Sequence, residues 1–154
     1  MTNDTNIYAS VAKGYKQGGF NLGLGLDTNA TNKMTITALG QVKAAKSAMV
    51  TEVALTDGST AVDASIQQNC TLVLQENTTI GQPSNAVAGQ VLTFEIAQHA
   101  SSGPYTLAWH TDFEFAASTA PTMTATDAKT DIFTFRYNGS VWQEIGRSQN
   151  MAQS

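Results

Sequence analysis

Few side chains in this sequence can do chemistry, and their spacing decides what chemistry that would be. His99 and His110 lie on either side of the strand-like segment PYTLAW, and Asp112 and Glu114 follow two residues apart. Residues two apart in an extended strand share a face. Asp112 and Glu114 could therefore act as a paired acid and base, as in glycoside hydrolysis, or join the histidines around a metal ion. No HExxH or CxxC spacing supports a metal site, and paired carboxylates on a wet strand face are far commoner than catalytic ones. Cys70 is the single cysteine; set mid-strand among apolar residues, it reads as a buried, inert thiol rather than a nucleophile. No intrachain disulfide can form. The glycines from Gly14 to Gly25 match neither a phosphate-binding P-loop nor a dinucleotide fingerprint, and no G-x-S-x-G elbow occurs. The expectation is a protein with no catalytic residue, no cofactor and no metal, whose chemistry is binding and assembly.

Aromatic side chains offer a second kind of chemistry. Tyr105, Trp109 and Trp142 could stack on a sugar ring, although aromatics at strand spacing are more often core or subunit interface. The triplets Asn29-Ala30-Thr31 and Asn138-Gly139-Ser140 fit a glycosylation pattern. The N-terminus MTNDTNIYAS has neither a basic nor an apolar leader region, so they are read as chance products of an Asn- and Thr-rich chain. No apolar run approaches the roughly 20 residues that span a bilayer, and a protein made in the cytoplasm, with no membrane partner, is expected.

The elements that must position these residues are strands. Charged residues make up only 13% of the 154, against roughly 25% in an average soluble protein; Thr, Ser, Asn and Gln take their place, suiting pleated strands and turns. Period-two alternation puts Cys70, Leu72 and Leu74 on one face of CTLVLQE, and Leu92, Phe94 and Ile96 on one face of VLTFEIAQ. It does the same for Tyr105, Leu107 and Trp109, for Phe133, Phe135 and Tyr137, and for Val141 and Ile145 opposite Trp142. Turn clusters separate these runs, and Asn138-Gly139 is the strongest hairpin signal, since a type I′ turn needs φ > 0 at both central residues. The spacing predicts an all-β fold, a small antiparallel β-sandwich, jelly-roll-like. Its strands are clearest from about Asp63 to Gly146, within a domain of residues 51–154.

Residues 1–50 read differently, as an extended N-terminal arm. GGFNLGLGLDTNATN loses much backbone entropy on ordering, yet its neighbourhood is too apolar for a disordered tail; an arm that orders against a partner satisfies both. The stretch Gln41–Leu55 is open between a short helix and a pair of strands. Charge divides at the same place. Residues 1–50 carry five lysines against Asp4 and Asp27, a balance of +3, and residues 51–154 carry three basic against ten acidic side chains, a balance of −7. The total of −4 argues against nucleic acid as a partner.

From about Thr56 to Gln149 the chain resembles a module of bacteriophage tail-fibre, baseplate and capsid-decoration proteins. The resemblance is carried by AVDAS (61–65), NCTLVLQENTTIGQPSNAVAGQVLTFEIAQ (69–98), SGPYTLAWHTDFEFA (102–116), APTMTATDAKTDIFTF (120–135) and RYNGSVWQEI (136–145). One departure is Ala116-Ala117-Ser118, where the module often has a glycine, so this loop is expected to differ in shape. The resemblance implies a small β-sandwich that assembles as a homotrimer without catalytic activity.

With no shaft repeat or heptad attached, the expected role is capsid decoration, or cement, on the exterior of the virion head. The arm residues Tyr8, Lys13, Tyr15, Lys16, Phe20, Leu22, Leu24 and Leu26 are the expected contacts to the major capsid protein. Phe94, Ile96, Trp109, Phe133, Phe135 and Trp142 are expected in the core or the trimer interface. The alternative is a tail-tip or head-fibre adhesin that binds host glycan.

Overall fold

The computed structural model describes residues 34–36, 41–44 and 49–152, and the chain divides into two units between Met49 and Val50. In the first unit β1 (Met34–Ile36) pairs antiparallel with β2 (Val42–Ala44), Thr35 opposite Lys43. The open stretch Gln41–Leu55 thus contains two strands, β2 and β3 (Glu52–Ala54).

The second unit adds β4 (Ser59–Thr60), β5 (Asn69–Leu74), β6 (Thr78–Ile80), β7 (Val91–Gln98) and β8 (Leu107–Trp109). After these come β9 (Phe113–Glu114), β10 (Lys129–Tyr137) and β11 (Trp142–Ala152). No α-helix occurs among the described residues, so the fold is all-β. A six-stranded sheet runs β3-β5-β7-β10-β11-β9 and a three-stranded sheet runs β4-β6-β8.

Successive strands alternate between the two sheets. The chain leaves β3 for β4, returns to β5, crosses to β6, returns to β7 and crosses to β8, so that each strand lies parallel to the strand two before it. These are stacked turns of a coil. A third side joins them where Ala64 N–H donates to the Ser84 carbonyl and Ser84 N–H to the Val62 carbonyl, both at 2.9 Å. Here AVDAS stitches one turn to the next, and the Asp63 carboxylate accepts from Ser65 N–H, Ser65 Oγ and Asn85 Nδ2. These bonds hold the Asp63 carboxyl below the ordinary carboxylate range.

The expectation of antiparallel, jelly-roll-like pairing is therefore corrected. Only β7-β10-β11 pair antiparallel in this unit, and every other strand pairing is parallel. Period-two patterning tells which face a side chain takes but not which way the neighbouring strand runs. Parallel neighbours need a crossover, and here that crossover is itself a strand of the second sheet.

The core sits between the sheets. Cys70, Leu72, Leu74, Leu92, Phe94, Ile96, Phe113, Phe133, Phe135 and Trp142 point into it from the large sheet, and Val62, Ala64, Ile80 and Met123 complete it. Each large apolar side chain buried in this way contributes about 1.5–3 kcal/mol. The hairpin β10–β11 closes the coil. Its connection is longer than a two-residue type I′ turn: Gly139 alone takes a positive φ, +107°, and the Asn138 side-chain carbonyl accepts from Ser140 and Val141 N–H at 2.8 and 2.9 Å.

Two bulges bend the hairpin. At the first, Gln149 and Asn150 lie opposite the single residue Asp131, with Asn150 left-handed at φ 62°, a conformation Asn tolerates. At the second, Ile145 is the extra residue, and Arg147 grips Glu144 across it with Nε–Oε1 at 2.7 Å and Nη2–Oε2 at 2.8 Å.

Candidate functional site

The residues that could do chemistry do not converge. Asp112 N–H donates to His110 Nδ1 at 3.3 Å, and Ser101 N–H donates to His99 Nδ1 at 3.2 Å. Each of these contacts closes a turn around its own histidine. His110 Nδ1 also lies 3.4 Å from Asp112 Oδ1. Gln82 Nε2 donates to the other Asp112 oxygen at 2.6 Å, tying the loop before β9 to the end of β6. Glu114 lies one strand outward of Gln143, 3.5 Å from its amide. The Cys70 thiol is buried, and desolvation pushes it up to about 11. Among the described residues no three His, Cys, Asp or Glu come together as a cation site.

The aromatic residues form the core. Phe94, Ile96, Phe133, Phe135 and Trp142 are each at most 1% exposed, which removes them from any surface that a partner could touch. Trp109 is half-buried with five phenylalanine rings around it, from 5.1 Å (Phe113, Phe135) to 5.6 Å (Phe94, Phe115) between centroids. Nearly all of these contacts are edge-to-face, the geometry the ring quadrupoles favour. Tyr105 is fixed by buried Gln98, which donates to its carbonyl at 2.7 Å and accepts from its N–H at 3.0 Å. The three aromatics considered for sugar stacking are thus core or core-lining residues. The arm residues Tyr8, Lys13, Tyr15, Lys16, Phe20, Leu22, Leu24 and Leu26 lie outside the described residues.

What the fold does present is a sheet face. On the side of the large sheet away from the core, the registers line up side chains in rows across the strands. One row reads Val91–Arg136–Gln143–Glu114, the next Asn69–Thr93–Thr134–Gly146. The third reads Thr71–Glu95–Ile132–Ser148, and the fourth Val73–Ala97–Thr130–Met151. The last two rows line a shallow groove formed by Val73, Glu95, Ala97, Thr130, Ile132 and Met151. On the four central strands, β5, β7, β10 and β11, the face holds two charges, Glu95 and Arg136. Neither makes a hydrogen bond or ion pair among the described residues.

Sequence reasoning placed Thr93 and Glu95 on the non-core face of their strand, but it did not identify a surface. The available signal was that the non-core positions of VLTFEIAQ and IFTFRYN are mostly Thr, Ala and Ile where a wet face usually carries charge. No protein-family model matches the chain, and no curated protein matches it either.

Proposed function

We propose that the protein is a structural component of the bacteriophage virion with no catalytic role. Its more particular role is that of a capsid decoration protein: a homotrimer on the outside of the head that clamps neighbouring copies of the major capsid protein. The two sheets and their shared core are read as a small β-sandwich that presents the N-terminal arm to the capsid.

The observation that carries this reading is the division of the chain. The β unit begins at Val50, and the charge balance changes there from +3 over residues 1–50 to −7 over residues 51–154. A basic, apolar segment joined to an acidic unit suits a segment docked on an acidic capsid exterior with the remainder facing solvent. The linked motifs from AVDAS to RYNGSVWQEI support the same class of protein. A modest arm footprint, repeated three times per trimer, gives strong avidity.

Deleting residues 1–40 tests the reading. The shortened chain is expected to keep its β unit, judged by circular dichroism and thermal unfolding, and to lose binding to purified heads. Undiminished head binding would sink the arm mechanism. Reconstruction of the labelled virion tests position: hundreds of copies spread over the head are expected, while a few copies at the tail would favour the adhesin and its glycan.

A further inference from the structure

We infer that the turn Asn138-Gly139-Ser140 is a site of self-modification, where the backbone nitrogen of Gly139 displaces ammonia from the Asn138 side chain and leaves aspartate or isoaspartate in its place. The inference is independent of the virion role proposed above.

Asn138, Gly139 and Ser140 are all exposed at the tip of the β10–β11 hairpin, and theirs is the single Asn-Gly step in the chain. Attack requires the Asn138 Cγ to lie over the peptide bond that follows it. The side chain is folded forward in this way, because its carbonyl reaches past Gly139 to accept from Ser140 N–H at 2.8 Å and Val141 N–H at 2.9 Å. A free peptide must find that arrangement, whereas the turn holds it. Gly139 carries no Cβ to shield its nitrogen, and at φ +107° it takes a conformation open to glycine. Its N–H donates to no group among the described residues, and neither does the Asn138 amide nitrogen. The nucleophile and the leaving group are unengaged, while the carbonyl between them is fixed.

The two donors that fix the carbonyl also act on the reaction. Hydroxide takes the Gly139 amide proton, the nitrogen adds to Cγ, and negative charge collects on Oδ1. The Ser140 and Val141 N–H groups already point at that oxygen at oxyanion-hole distances. The Cγ–Nδ2 bond then breaks, Nδ2 takes a proton from water and leaves as ammonia, and a five-membered imide closes. Water adds to either imide carbonyl. Opening at Cγ gives aspartate; opening at the main-chain carbonyl gives isoaspartate, with the chain routed through the former side chain. In sum, an amide and a water become a carboxylate and an ammonium ion. The other described asparagines, Asn69, Asn77, Asn85 and Asn150, precede Cys70, Thr78, Ala86 and Met151, whose Cβ atoms crowd the attacking nitrogen. Asn69 and Asn85 also engage Nδ2, with the Val50 carbonyl and the Asp63 carboxylate.

The full-length chain, held at 37 °C and pH 8 and digested with trypsin at intervals, tests the site. The tryptic peptide 137–147 contains one asparagine, Asn138. It is expected to exchange an amide for a carboxyl at that residue, located by fragmentation in the mass spectrometer, and to become a substrate for an isoaspartyl methyltransferase. Conversion in the folded chain should be at least as fast as in the same peptide incubated alone. It should also be at least tenfold faster than at Asn69, Asn77, Asn85 or Asn150. A folded chain that converts more slowly than the free peptide would overturn the inference, since the turn would then protect Asn138 instead of arming it. A peptide of unchanged mass, or a change placed at Gln143, would overturn it as well.

Discussion

Asp131 is the most heavily used side chain among the described residues. It is fully buried in β10, and it accepts from Thr124 N–H (2.8 Å), Thr124 Oγ1 (2.7 Å), Gln149 Nε2 (2.9 Å) and Asn150 N–H (2.8 Å). Burial by itself would raise its pKa, but the four donors outweigh that and hold it below the ordinary carboxylate value. Because the folded pKa is depressed, the contribution to stability is present above about pH 3.9, the unfolded value. It is lost as pH falls below that, through the folded pKa. Asp131→Asn turns one acceptor oxygen into a donor facing donors and should cost about 2–3 kcal/mol at pH 7. In urea titrations the gap to the unmodified protein should narrow below pH 4. A gap unchanged at pH 3 would contradict the role given to the carboxylate.

Two other residue-scale outcomes follow from backbone and burial. Ala117, in the short 3₁₀ turn Ala116–Ser118, takes φ 54° and ψ 27°, a left-handed conformation that glycine adopts without cost. Ala117→Gly should stabilise the unit by about 0.5–1 kcal/mol, read as a rise in Tm. Cys70, with its thiol pushed up to about 11 by burial, should resist thiol reagents at pH 8 in the native state. It should react once per chain in denaturant; rapid native labelling would show the core open at β5.

At the scale of elements, the coil depends on close approach between turns. A Cβ on Gly81 would collide with the Thr60 carbonyl, the same oxygen that accepts the Gly81 N–H at 2.8 Å. The strands cannot separate without breaking that bond, so Gly81→Ala should cost about 2–4 kcal/mol, measured by chemical denaturation. A loss under 0.5 kcal/mol would mean that β4 and β6 are not seated as described.

This level also marks the limit of what the sequence discloses. The inward residues of β5, β7 and β10 were legible, because alternation is local: Cys70, Leu72 and Leu74 declare their face within six residues. The pairing of β5 with β7 was not, since Asn69 and Thr93 are joined by a path that visits another sheet. The outer face was illegible for a different reason. Thr71, Glu95, Ile132 and Ser148 form a row only after four strands have been placed in register, and no short window of sequence contains them.

At the scale of the whole molecule, β7 and β10 have strands on both sides, whereas β3 borders the large sheet and β4 the small one. Amide hydrogen exchange should therefore be slowest in the interiors of β7 and β10 and fastest in β3 and β4. Equal protection across the sheet would mean that another segment covers the β3 border. The same arrangement bears on how the unit carries load. A pull between Val50 and Ala152 runs across the strands, because β3 is one border of the large sheet and β11 lies beside the other. Hydrogen bonds loaded this way open in series, starting at the three-residue ladder of β3. Behind it, slack becomes available in portions set by the turns of the coil. Register partners on β3 and β5 are 17 residues apart (69 − 52), and those on β5 and β7 are 24 apart (93 − 69). Under tension the unit should lengthen by discrete increments instead of snapping, behaving as a tether that yields and absorbs work.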